Sequence, residues 1–302
     1  MEIRLAKILD KFPEETITVS FLDIITVEQF ETFKIAIKTI EELHSIRRLR
    51  DFVVLNDREL IDMLNESLND LLNKSVSWNS LKRNDSEVVF NNTNRLLLNY
   101  LTSIRTFIDH SDTYLNKKFG VTSEQYLEFK QILSCFFDNS FAYRFFYKLR
   151  NYAQHVGLPL DNFHFTTEYD HENKSFEGTM KVAFDRDKLL DSYDSWGAVK
   201  TDLINQAQEF DVMPLIFEMT HNINEIERNI EILHSKELLS AANFIIGLTN
   251  HLTDDTSEVF VAYDFKDKDN GELANYSSLH IPFDTIKFIL NELDQTEERT
   301  NA

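Results

Sequence analysis

Glycine and proline are nearly missing from this chain: six Gly and four Pro in 302 residues, where roughly 12% combined is usual. Both residues break helix interiors, so their scarcity excludes a turn-rich all-β fold and favours long uninterrupted helices. Cysteine occurs once, which excludes an internal disulfide and a thiolate metal cluster. Cys135 sits in the apolar run ILSCFF (132–137) and reads as a buried, inert thiol in a reducing compartment. No stretch approaches the ~18 apolar residues of a membrane span, and the charged, alternating start MEIRLAKILDKF does not read as a signal peptide. The expectation is a cytoplasmic protein with no membrane contact.

Positive charge is also short. Lys and Arg total 31 against 51 Asp and Glu, a net charge of −20. Such a body repels phosphate, so a general nucleic-acid-binding surface is excluded and any RNA chemistry needs a locally basic site. Basic residues do gather at Arg47, Arg48 and Arg50, at Lys117 and Lys118, and at Arg144, Lys148 and Arg150. There is no glycine-rich phosphate loop, no nucleophile elbow and no H-E-x-x-H. His164, Glu168 and His171 offer three metal-ligand types, but the turn between them and the lack of a fourth ligand argue against a metal. Neither a metal nor another cofactor is expected.

Apolar periodicity supplies the architecture. Val27, Phe30, Phe33, Ile37, Ile40 and Leu43 recur at three- and four-residue steps, predicting a helix from Thr26 to Leu49 with Thr26 as N-cap. Further helices are predicted over 57–72, over 86–119 with Gly120 as the stop, from Thr122 or Ser123 through Leu133, and over 140–156 before Gly157 and Pro159. FHFTTEY (163–169) and FEGTMKVAF (176–184) read as a β-hairpin. Helices return over 195–208, 213–234 and 236–250. VFVAYDF (259–265) and YSSLHIPF (276–283) read as a second hairpin, and a last helix covers 284–293. The fold class expected is mainly α, with a helical domain over 1–160 followed by a smaller α+β half over 161–302 with two hairpins.

The segment KLRNYAQHVGLP (148–159) carries the chemistry. Asn151 and His155 are spaced i, i+4 and share a helix face, while Arg150 lies about 140° around the helix from His155. A histidine can take or give a proton near neutral pH, and an arginine can hold a phosphate bidentately. Together they suit metal-independent phosphodiester cleavage. The same R-x-x-x-x-H spacing occurs at Arg105 and His110, where Leu101, Ile104 and Ile108 mark a buried stripe, so that pair reads as supporting structure.

With an Arg, a polar residue directly after it and a His near a helix end, residues 140–159 resemble the motif of the HEPN superfamily. The phrases LLNYLTSIRTFIDH (97–110) and RFFYKLRNYAQHVGLP (144–159) also resemble bacterial HEPN-like proteins. The resemblance implies a HEPN-type helical bundle with its core over about 86–159. It also implies a homodimer in which two Arg–His pairs line one cleft and RNA is cut through attack of the ribose 2′-hydroxyl. Carried over, Arg150 would polarise the phosphate, His155 would exchange the proton and Asn151 would hold both in position. Lys148 and Arg144 would bind substrate, and Arg105 and His110 would lie behind the site. Structured RNA such as tRNA is the implied substrate, in a toxin or phage-defence setting with an antitoxin or another protein partner. The rival reading is a catalytically silent HEPN-like module for dimerisation and protein interaction.

Overall fold

The computed structural model describes residues 2–11, 17–76, 83–160, 162–173, 175–250, 259–269 and 272–300. The described residues are mainly helical, with a smaller antiparallel β portion. Its contacts divide it into two compact units, residues 1–45 with 231–302, and residues 46–230.

In the first unit, β1 (Ile3–Lys11) and β2 (Ile17–Ile24) form an N-terminal hairpin. β6 (Val259–Asp269) and β7 (Glu272–His280) form another, and the four strands join in the antiparallel order β2-β1-β6-β7. Leu5 lies opposite Val261 and Ala6 opposite Phe260. Ala6, Phe260 and Ala262 make a small core against which Phe21, Phe265 and Tyr276 pack, the three rings meeting one another edge to face or tilted and Tyr276 stacking on Phe260. The ladder breaks its register between Tyr263 and Lys266, where Asp264 adopts φ +54°. Aspartate tolerates that left-handed conformation better than most residues, and a bulge needs it. The sequence reading missed β1 and β2, so the described residues hold three hairpins, not two. β1 pairs with β2 on one side and with β6, some 250 positions away, on the other. The turn expected over 266–272 is narrower, since strand structure reaches Asp269 and resumes at Glu272; residues 270–271 lie outside the described residues.

α1 (Val27–Val76) is one helix of 50 residues, where two had been expected. It opens on a capping box: the Gln29 N–H donates to Thr26 Oγ1 at 3.1 Å and the Thr26 N–H donates to Gln29 Oε1 at 2.9 Å. It continues through residues 50–56 because nothing there breaks a helix. The buried stripe also stays in phase, from Ile40, Leu43 and Ile46 to Val53, Leu60, Leu64 and Leu71.

In the second unit α2 (Arg83–Phe119) ends at Gly120, whose φ of +87° is the left-handed cap that glycine adopts without strain. The loop expected over 73–85 shrinks accordingly, and residues 77–82 lie outside the described residues. α3 (Glu124–Asn139) is capped by the Ser123 side chain, which accepts from the Tyr126 N–H. Only Phe129 on it is buried, so Cys135 is exposed, contrary to the buried thiol expected from its apolar neighbours. α4 (Phe141–His155) follows at once, then β3 (Asn162–Asp170) and β4 (Ser175–Asp185). The helix expected over 195–208 is shortened to α6 (Val199–Ile204), which starts after Gly197 at φ +60°, and an unexpected short α5 (Arg186–Ser192) precedes it. The three-residue β5 (Glu209–Asp211) completes the sheet β3-β4-β5, and α7 starts at Met213 and runs to Leu233. α8 (Ser235–Thr249) and α9 (Phe283–Thr300) belong to the first unit.

The expected domain boundary near residue 160 does not match this division. Phe145 on α4 stacks on Trp196 (5.9 Å between centroids) and meets Phe184 at 5.1 Å and Phe210 at 5.6 Å. The core of α4 is therefore built from residues on both sides of position 160.

No helix among the described residues is long and apolar enough to cross a membrane.

Candidate active site

α4 is held at its start by one hydroxyl. Ser140 Oγ accepts from the Tyr143 N–H at 3.1 Å and from Asn222 Nδ2 at 2.8 Å, and it donates to the Glu218 carboxylate. The Ser140 N–H meanwhile closes α3 by donating to Phe136 O. One residue thus ends α3, begins α4 and ties both to α7. Ser140→Ala is expected to cost about 1–3 kcal/mol, since a cap is lost and the buried Asn222 amide loses a partner. Urea unfolding with an unchanged midpoint would contradict it.

From there the helix divides cleanly. Ala142, Tyr143, Phe145, Phe146, Leu149 and Tyr152 are buried. At about 100° per residue, Arg144, Lys148, Asn151 and His155 fall on one stripe of the opposite side. The last turn closes through Val156 N–H to Tyr152 O at 2.9 Å, and Tyr152 is fixed by stacking on Trp196 at 5.8 Å. The Trp196 indole N–H donates to Leu189 O.

The residues singled out from sequence fare differently. His155 is exposed in the final turn, and Asn151 is half-buried. Neither has a hydrogen-bond partner among the described residues. Arg150 is half-buried on the far flank of α4, and its Nε is fully buried with no hydrogen-bond partner among the described residues. Leaving such a donor unmatched costs free energy, and no internal ion pair of the kind that holds Arg144 is formed at Arg150 among the described residues. Lys148 lies beside Gly197, its Nζ 3.9 Å from where a Cβ on that glycine would sit.

Arg144 does not belong with them. Its Nε pairs with Asp202 Oδ2 at 3.0 Å and its Nη1 donates to Phe137 O and Asp138 O at 2.6 and 2.8 Å. The side chain is 15% exposed. It braces α4 against the end of α3 and against α6, with Nε and Nη1 both engaged in these contacts.

Arg105 touches α4 through Tyr147, its guanidinium carbon 4.5 Å from the ring centroid, and pairs with Asp109 Oδ2 at 2.7 Å. This joins α2 to α4 one turn before Asn151. His110 is exposed on α2, and no contact brings it to the motif. Burial, reinforced by the neighbouring Tyr147, pushes the Tyr143 phenol up, so it stays protonated and serves packing. His164 Nε2 lies 2.9 Å from Glu209 Oε2 and the His171 ring packs on Tyr169. No cluster of three or more His, Cys, Asp or Glu side chains suited to a metal occurs among the described residues.

Ser140 was legible as a helix start, but its partners Glu218 and Asn222, and the floor laid by Trp196, were not. They lie roughly 40–80 positions away and leave no spacing signal. Compared with known proteins, the chain matches no family model, no curated protein sequence and no solved structure.

Proposed function

We propose that the chain is an endoribonuclease that cleaves without a metal, its active site completed by a second copy of itself. The observation that carries this reading is the state of Arg150: a permanent cation half-buried on α4, its Nε without an acceptor, on the same short helix as an exposed histidine. His155 takes the proton of a ribose 2′-hydroxyl. The 2′-oxygen attacks phosphorus, and the 5′-oxygen leaves with a proton returned by the histidinium, giving a 2′,3′-cyclic phosphate and a 5′-hydroxyl. Arg150 stabilises the charge gathering on the phosphoryl oxygens. Asn151, on the His155 side of the helix, positions the pair, and Lys148 holds a flanking phosphate.

Arg150 and His155 diverge by about 140° around α4, so the pairing that does the work is between copies, Arg150 of one chain with His155 of the other. A two-fold dimer would hold two such pairs. Structured RNA such as tRNA, and a toxin or phage-defence setting, go with the HEPN resemblance. The net charge of −20 favours the rival, a silent interaction module. The test is incubation of the purified chain with total RNA in EDTA across a concentration series. Cleavage should persist, and specific activity should rise as dimer forms by light scattering. Loss of cleavage in EDTA with rescue by manganese would sink the metal-free mechanism.

A further inference from the structure

Between α1 and α2 lies a groove of about 310 Å³, at the lower end of the ~300–1,000 Å³ typical of small-ligand sites. α1 contributes Leu49, Phe52 and Asn56. α2 contributes Asn99, Thr102, Ser103 and Thr106. No lining side chain is charged, so the groove is not built for a phosphate or a cation. Its one ring, Phe52, is 52% exposed, a large apolar surface left facing solvent.

The hydroxyls are already oriented. Thr102 donates to Leu98 O at 2.8 Å, Thr106 to Thr102 O at 2.9 Å and Ser103 to Tyr100 O at 2.8 Å. With their protons turned into the helix, these three oxygens present only lone pairs to the groove. Asn56 Nδ2 likewise donates to Phe52 O at 2.8 Å, leaving its amide oxygen as acceptor. Asn99 is exposed and has no partner among the described residues, so its amide can both donate and accept. A ring to stack on, an acceptor-rich wall and one free amide together suit a flat heterocycle carrying N–H groups on its edge. Unpaired nucleobases are read this way, stacked on an aromatic side chain and hydrogen-bonded along the edge.

The geometry points to the α1–α2 groove as a binding site for one unpaired nucleobase, stacked on Phe52 and read by Asn99 and the threonine hydroxyls. That this base belongs to an RNA substrate rests on the ribonuclease reading; the binding itself does not.

Uncharged nucleosides are the direct probe. The full-length chain in EDTA is titrated with adenosine, guanosine, cytidine and uridine and followed by NMR. Bases bearing an exocyclic amino group should bind more tightly than uridine. Phe52→Ala and Asn99→Ala should each weaken that binding roughly tenfold or more. Both are exposed positions, so circular dichroism should show folded variants. Three results would overturn the proposal: no nucleoside bound at millimolar concentration, uridine bound as well as the rest, or binding unchanged in the two folded variants. Binding through Asn99 by a chain that cuts no RNA would leave the groove standing and remove only the ribonuclease reading. RNA cleavage without nucleoside binding would do the reverse.

Discussion

His155→Ala is expected to lower RNA cleavage by about 10²–10⁴, the usual worth of a positioned acid–base group, and Arg150→Ala by about 10²–10³, as for a lost charge-stabilising donor. Neither change should unfold the protein. His155 is exposed, and replacements at such positions fall within about 0.5 kcal/mol. Arg150→Ala removes a buried donor that has no partner, so its melting temperature should hold or rise. The two dead variants also test the dimer. If each site takes Arg150 from one chain and His155 from the other, mixing them rebuilds one intact site in every heterodimer. With random exchange, about a quarter of wild-type activity should return, by two-fold symmetry. A mixture as inactive as its components would place both residues of a site in one chain. A folded His155→Ala protein that cuts RNA at the wild-type rate would remove the assignment altogether.

The largest stability effect is expected at Phe145. Its ring is completely buried, stacks on Phe141 and Trp196, meets Phe184 and Phe210 edge-on and lies tilted against Phe146. Phe145→Ala should cost about 3–5 kcal/mol, lost transfer energy plus the cavity left behind. Against a whole-domain stability of about 5–15 kcal/mol, that is enough to unfold much of the protein near its working temperature. Phe141, on the same helix but only half-buried, should cost clearly less. Denaturant unfolding of both variants beside wild type decides it. Equal losses would mean that the aromatic cluster does not centre on Phe145. The same packing predicts that a chain cut after residue 160 fails to fold around α4, because the cut removes Phe184, Trp196 and Phe210.

Local features were legible in the sequence wherever their cause was local. Thr26 with Gln29, Ser123, Ser140 and Gly120 mark helix ends through contacts within four residues, and each stands where its residue type predicts. The β3–β4 and β6–β7 hairpins were legible for the same reason: alternation and a polar turn lie side by side in the chain. The errors follow the opposite rule. α1 was read as two helices, over 26–49 and 57–72, whereas the buried stripe runs through the gap at Val53. β1 and β2 are the exception: they pair locally, and the alternation of MEIRLAKILDKF was read only as excluding a signal peptide. Cys135 was expected inside because its neighbours are apolar, yet α3 buries little beyond Phe129.

The sequence by itself determined that this is a mainly helical chain and that α4 ends in Arg150, Asn151 and His155, since helix propensity, capping and residue chemistry act over a few positions. Only the tertiary structure decided which of the basic residues are free to act. Arg144 and Arg150 are six positions apart on one helix and chemically identical. Asp202 and two carbonyls engage Nε and Nη1 of the first, while the second keeps a buried Nε without an acceptor among the described residues. That difference depends on which distant groups the fold brings within about 3 Å, and no spacing along the chain encodes it.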